Sequence, residues 1–171
     1  TNEGTSVEKS LTISPAEVDL VWQADSYVPP FYKGKTLYSA QENIKIVALP
    51  NFTSTGGGII SPNKLLYTWS EDGKVLGNIS GYGKDSYSFV GSILAKPLRI
   101  GVEVTDINSS ANAKDDFVLI NTDPKILLYE DNPVFGIQYE KALGNTLRLI
   151  SQEIKITAVP YFFSARDVKT S

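Results

Sequence analysis

Residues 41–54 read Gln-Glu-Asn-Ile-Lys-Ile-Val-Ala-Leu-Pro-Asn-Phe-Thr-Ser, and residues 151–164 read Ser-Gln-Glu-Ile-Lys-Ile-Thr-Ala-Val-Pro-Tyr-Phe-Phe-Ser. Ile44, Lys45, Ile46, Ala48, Pro50, Phe52 and Ser54 return as Ile154, Lys155, Ile156, Ala158, Pro160, Phe162 and Ser164. In the first copy Ile44, Ile46 and Ala48 alternate with Lys45, Val47 and Leu49, the period of an extended strand. Pro50 is expected to end that strand, because it cannot donate to a ladder. Further upstream, Trp22, Tyr32 and Leu37 have rough counterparts in Tyr129, Tyr139 and Leu143. The repeat distance is that of a small domain, not the short period of a solenoid. The chain therefore reads as one β-domain followed by the opening part of a second.

Working outward, the same period recurs. Val18, Leu20 and Trp22 share one face of an early strand, and Pro29-Pro30 makes residues 25–36 a loop or irregular edge. Gly56-Gly57-Gly58 and Ser61-Pro62-Asn63 mark residues 53–64 as a loop. Leu65, Tyr67 and Trp69 alternate with Leu66, Thr68 and Ser70, and Glu71-Asp72-Gly73-Lys74 reads as a hairpin turn. Tyr87 and Phe89 alternate with Ser86 and Ser88. Leu98, Ile100, Val102 and Val104 form the cleanest period-2 run. Phe117-Val118-Leu119-Ile120 is apolar on both faces, which predicts a central or sandwiched strand. No helical period with caps occurs between residues 11 and 121, so short strands and turns argue a β-sandwich. The expected organisation is a polar lead over 1–10, a β-sandwich over 11–121 and the first strands of a second unit over 122–171. Asn121-Thr122-Asp123-Pro124 supplies the boundary.

Composition removes several function classes. The chain has 171 residues, 42% hydrophobic and 20% charged, enough apolar content for a core. A net charge of −3 with scattered Lys and Arg gives no basic stripe for nucleic acid. There is no Cys and no His, so thiolate nucleophiles, Cys-type zinc sites and the commonest general base are all missing. No stretch reaches the length of a membrane span. The lack of Met and the start at Thr1-Asn2-Glu3-Gly4 fit a chain cut from a longer precursor.

The run Tyr67-Thr68-Trp69, Asp72-Gly73-Lys74, Tyr87-Ser88-Phe89 and Ile100-Gly101-Val102-Glu103-Val104-Thr105-Asp106 resembles the immunoglobulin-like and PKD-type domains of bacterial surface proteins. The resemblance covers residues 11–121, and its beginning recurs over 124–171. It implies an immunoglobulin-like β-sandwich with Trp69 packed between two sheets, followed by a partial second β-domain. Two departures stand out: Ser70-Glu71-Asp72-Gly73 replaces the usual Gly-Asp-Gly after the Trp, and no disulfide can form.

Each candidate site also has an ordinary structural role. Trp69, Tyr87 and Phe89 are expected in the core, since each sits on an alternating strand. Tyr27, Phe31 and Tyr32 flank Pro29-Pro30 in a loop, where exposed aromatic groups would mark contact with a partner; packing on their own domain is the alternative. Asp106, Asn108, Asp115 and Asp116, or Asp123, Glu130 and Asp131, could offer oxygen ligands to Ca²⁺, but neither spacing matches an EF-hand, and Asp and Asn also build turns unaided. Asp115 and Asp116 point to opposite faces of a strand, the wrong arrangement for a glycosidase pair. No Gly-x-Ser-x-Gly elbow is present, and Gly56-Gly57-Gly58 lacks the Lys-Ser/Thr of a phosphate loop. Lys45 and Lys155 alternate with the Ile face and so are expected in solvent, not in an isopeptide bond. Asn51, Asn78 and Asn108 open short glycosylation sequons, a pattern common by chance.

The expectation is a non-catalytic extracellular structural or adhesive module of a bacterial surface protein or filament, with no cofactor and no metal. Its expected partners are neighbouring Ig-like repeats or copies of itself, joined by β-strand addition. The alternative is a carbohydrate- or ligand-binding β-sandwich of an exported protein, for which a surface glycan or protein ligand would be the partner.

Overall fold

Period-2 alternation becomes strand throughout the computed structural model, which describes residues 16–94, 96–147, 153–165 and 168. In chain order the strands are β1 (Ala16–Ala24), β2 (Ser26–Tyr27), β3 (Asn43–Phe52), β4 (Leu66–Glu71), β5 (Lys74–Val75), β6 (Gly81–Tyr82) and β7 (Ser86–Val90). They continue with β8 (Leu98–Thr105), β9 (Asn112–Leu119), β10 (Lys125–Asn132), β11 (Gly136–Ile137), β12 (Ile156–Tyr161) and β13 (Phe163–Ser164). A 3-10 turn at Pro62–Lys64 precedes β4. The fold is all-β and sandwich-like, built from antiparallel sheets. Their strand orders are β1-β3-β7, β5-β4-β8-β9 with β6 also on β4, β11-β10-β12, and β13-β2.

The chain divides into two compact units. The first takes the described parts of Thr1–Val21, Val47–Ser86 and Ile100–Phe117. Its centre is the β4–β8 pair, in which Tyr67 faces Val104 and Trp69 faces Val102. Tyr67, Trp69, Ile100, Val102 and Val104 are buried, with Val18, Ala48, Phe52 and Leu65. The Trp69 ring is fully enclosed, and its indole N–H donates to the Lys84 carbonyl at 2.8 Å. The ladder on β4 breaks between β6 and β5. There the Trp69 backbone N–H donates to Ser80 Oγ at 2.9 Å, while the Ser80 hydroxyl donates to the Leu76 carbonyl. A serine side chain thus fills the missing ladder position.

The β4–β5 hairpin closes through Asp72 (φ 48°) and Gly73 (φ 81°), with Glu71 opposite Lys74. Two residues at positive φ define a type I′ turn, whose twist matches the flanking strands. Along one side of the unit, Asp115 on β9 reaches β1: its Oδ2 accepts the Leu20 backbone N–H at 2.8 Å. β1 and β9 each end their sheet order, so this carboxylate ties two terminal strands together.

Two expectations fail here. β3 runs through Pro50 to Phe52. The Ala48 N–H already bonds the Asp85 carbonyl at 2.8 Å, just before β7 begins, so Pro50 lies past the β7 ladder and its missing N–H costs no bond to that strand. β9, expected to be central, is instead the last strand of its sheet. Leu119 is buried, but Val118 and Ile120 are 51% and 67% exposed. β-branched residues suit extended backbone whether covered or not, so an apolar run overstates burial.

The second unit takes Trp22–Ile46, Tyr87–Arg99 and the described parts of Val118–Ser171. Its core includes Ala24, Tyr38, Ile44, Ile46 and Leu119, and a separate aromatic cluster around Tyr129 and Tyr161. Gly91 meets Tyr38 so closely that an added Cβ would lie 2.2 Å from the phenol oxygen.

Candidate functional site

The β10–β12 pair of the second unit is sided. Register places Leu127 opposite Val159, Tyr129 opposite Thr157 and Lys125 opposite Tyr161. On one face Tyr129, Val159, Tyr161 and the adjacent Phe162 are buried, with Val28, Phe31, Tyr32, Leu37, Leu127 and Ile137 packed against them. The Tyr129 and Tyr161 hydroxyls lie 2.8 Å apart. Burial first, and then this bond, push the Tyr161 phenol above its ordinary range. Phe31 is tilted by 30° against Tyr139 at 4.1 Å and edge-on to Tyr129, while Tyr32 sits edge-on to Phe162 at 5.6 Å. Such tilted and edge-to-face contacts are the favoured arrangements of aromatic rings.

The opposite face is open and largely apolar, with Glu130 opposite Ile156 at one end. Ile126 is 57% exposed, Leu128 42% and Ile156 42%, and Ala158 beside Leu128 is exposed as well. In β3 the counterparts Ile44, Ile46 and Ala48 are all buried. One sequence motif therefore lies covered in one strand and uncovered in the other.

The two strands differ at their edges too. β3 has β1 on one side and β7 on the other, whereas among the described strands β12 has only β10 as a ladder partner. The Asp131 N–H donates to the Lys155 carbonyl at 2.8 Å, so residues 155, 157 and 159 turn their polar backbone groups towards β10. Residues 156 and 158 turn theirs outward. The far edge of β10 is occupied, since Glu130 and Leu128 carbonyls accept from the Gln138 and Leu143 N–H groups. At the end of β12 the Phe162 N–H donates to the Tyr27 carbonyl at 2.8 Å. Beyond Tyr27 come Pro29 and Pro30, which have no N–H to offer.

Beside this edge lies a cleft of about 500 Å³, lined by Tyr27, Pro29, Pro30, Phe31, Tyr139 and Ala158–Pro160. Of the candidate contact residues, Tyr27, Phe31 and Tyr32 are all half-buried. Phe31 and Tyr32 spend ring area on the aromatic cluster, and Tyr27 pairs with Phe163 across β2–β13. Trp22 is also half-buried, and Lys35 Nζ sits 3.5 Å from its ring centroid. Of the expected core residues, Trp69 is fully buried, while Tyr87 and Phe89 are half-buried and stack on each other at 4.9 Å.

Several of the acidic candidates are held by hydrogen bonds or an ion pair within the protein. Both Asp106 carboxylate oxygens accept from Asn108 and Ser109, the shortest from the Ser109 hydroxyl at 2.5 Å. These bonds, led by that hydroxyl, hold Asp106 below the usual aspartate range. Asp115 accepts the Leu20 and Asp116 amides. Asp131 pairs with Lys155 at 2.5 Å, and Glu130 accepts from Asn132. No group of three metal-ligating side chains occurs among the described residues.

Sequence reasoning did not find Glu42. It is 1% exposed; one oxygen accepts the Ser39 N–H at 2.9 Å, and the other meets no hydrogen-bond partner within bonding distance among the described residues. Burial raises its pKa, opposed by the Ser39 bond. Nothing in Ala-Gln-Glu-Asn marks such a position.

Comparison with protein-family models, curated proteins and solved structures finds no match. Fold and site together define an all-β, antiparallel, sandwich-like protein with one uncovered sheet face. No described helix is long and apolar enough to cross a membrane, a finding that does not bear on strands.

Proposed function

We propose that this chain is a non-catalytic structural and adhesive module of an extracellular surface protein or filament, assembling with neighbouring Ig-like repeats or copies of itself. One observation carries the reading: the Ile126, Leu128, Ile156 and Ala158 face is open, while the same motif in β3 lies within a core. An apolar sheet face left in water is a surface that association would cover. Size-exclusion chromatography with light scattering tests it. Association should rise with concentration and weaken when Ile126→Lys places a charge on the open face. A chain that stays monomeric at its highest soluble concentration contradicts the reading.

The cleft favours a second reading, a carbohydrate- or ligand-binding module. Its volume suits a small ligand, and Tyr27, Phe31 and Tyr139 offer half-exposed rings. Titration with a panel of oligosaccharides, followed by amide shifts, should then move Ala158 and Val159, and Tyr27→Ala should abolish the change. Shifts at neither residue would remove this reading.

A further inference from the structure

We propose that the outer edge of Ile154–Ala158 is an acceptor for an antiparallel strand with the chemistry of β7, in which serines alternate with aromatic residues, supplied by another polypeptide chain. The inference rests on the assembly reading only in taking a polypeptide as the partner.

The argument starts from the duplication. Ile44–Ala48 and Ile154–Ala158 share Ile, Lys, Ile and Ala at equivalent positions. In β3 this segment bonds to β7. The Ala48 N–H donates to the Asp85 carbonyl at 2.8 Å, and the Gly91 N–H donates to the Glu42 carbonyl at 2.9 Å. These two bonds set an antiparallel register in which Ile46 lies opposite Tyr87 and Ile44 opposite Phe89. The groups used are those of even-numbered residues. On β12 the equivalent groups, at Ile156 and Ala158, are the ones turned away from β10. The duplicated segment thus presents, unpaired among the described residues, the same edge that β7 occupies on β3.

The side chains agree with the backbone. Tyr87 and Phe89 of β7 fall on the Ile44–Ile46 face and stack on one another. A strand of the same alternation on β12 would lay its aromatic residues on Ile154 and Ile156, at the open apolar face. The serines would point the other way, as Ser86 and Ser88 do, both exposed. Backbone bonds then provide affinity and alternate side chains provide selectivity, the logic of β-augmentation. The slot is bounded at one end, because Phe162 already bonds Tyr27 and the following prolines cannot donate.

The test uses the full chain and a synthetic peptide, Asp-Ser-Tyr-Ser-Phe-Val-Gly, copied from residues 85–91. Amide exchange is followed by NMR during titration. Saturable protection of Ile156 and Ala158, by about tenfold or more, is expected, with Ala48 unchanged. Ala158→Pro removes the outward N–H but no β10 ladder bond, so it should keep the wild-type circular dichroism and weaken peptide binding by about tenfold or more. A peptide in which the serines and aromatic residues exchange places should bind more weakly. No saturable protection at Ile156 and Ala158, equal binding to Ala158→Pro, or equal binding of the exchanged peptide overturns the proposal. If the peptide fails while light scattering still shows association, the edge assignment falls and the assembly reading stands. If the peptide binds to a chain that never self-associates, the reverse holds.

Discussion

Ser80 shows how one side chain can stand in for a strand. Its Oγ accepts the Trp69 N–H where the β4 ladder is interrupted, and its hydroxyl is passed on to Leu76. Ser80→Ala should cost about 1–3 kcal/mol, the penalty for leaving a buried amide unsatisfied; urea denaturation measures it. Gly91 is fixed by close approach, since a Cβ there would overlap the Tyr38 ring. Gly91→Ala should destabilise by about 1–3 kcal/mol, as overpacking does, and a wild-type urea midpoint would contradict that packing. Glu42 carries a pH signature. Because burial raises its folded-state pKa above the unfolded value, the native state holds its proton more tightly. Stability from this group is present below the ordinary glutamate pKa and is lost as pH rises through the higher native value. Glu42→Gln should flatten that slope in urea midpoints taken between acid and neutral pH. Asp106 has the opposite sign: its lowered pKa contributes stability above the ordinary aspartate range, lost as pH falls through the native value.

At the level of elements, alternation and turn chemistry were legible and burial only in part. Asp72-Gly73 announced a two-residue hairpin, and Tyr67-Thr68-Trp69 announced an inward-facing pair; both follow from local rules. Pro50 misled because a proline ends a strand only where its N–H would face a partner. Phe117–Ile120 misled because apolar, β-branched residues favour strand even at a sheet margin. The open face of β12 was legible only through the incompleteness of the second unit, half a sandwich that leaves an apolar face and strand edges uncovered, and not from the strand itself. Its residues match those of β3, and only the presence or absence of covering chain separates the two. The sequence offers Asp115 as a Ca²⁺ ligand or a turn residue, and nothing local marks its bond to Leu20 across a long sequence separation. Asp115→Ala should leave the Leu20 amide unsatisfied and cost about 1–3 kcal/mol. Exchange at the Leu20 amide should quicken with it, and an unchanged rate would contradict the bridge.

Across the whole molecule, one motif serves twice under different conditions. Ile44, Ile46 and Ala48 are buried on a strand paired on both edges, whereas Ile156 and Ala158 are exposed on a strand whose only ladder partner among the described strands is β10. The proposed role follows from that difference, since a strand of known pairing chemistry left open is a surface for another chain. Native-state amide exchange on dilute protein compares the two copies directly. The amides of Ile46 and Ala48 should exchange slowly, and those of Ile156 and Ala158 should exchange orders of magnitude faster. Equal protection of both pairs at high dilution would mean that the second copy is covered after all, and would contradict the account.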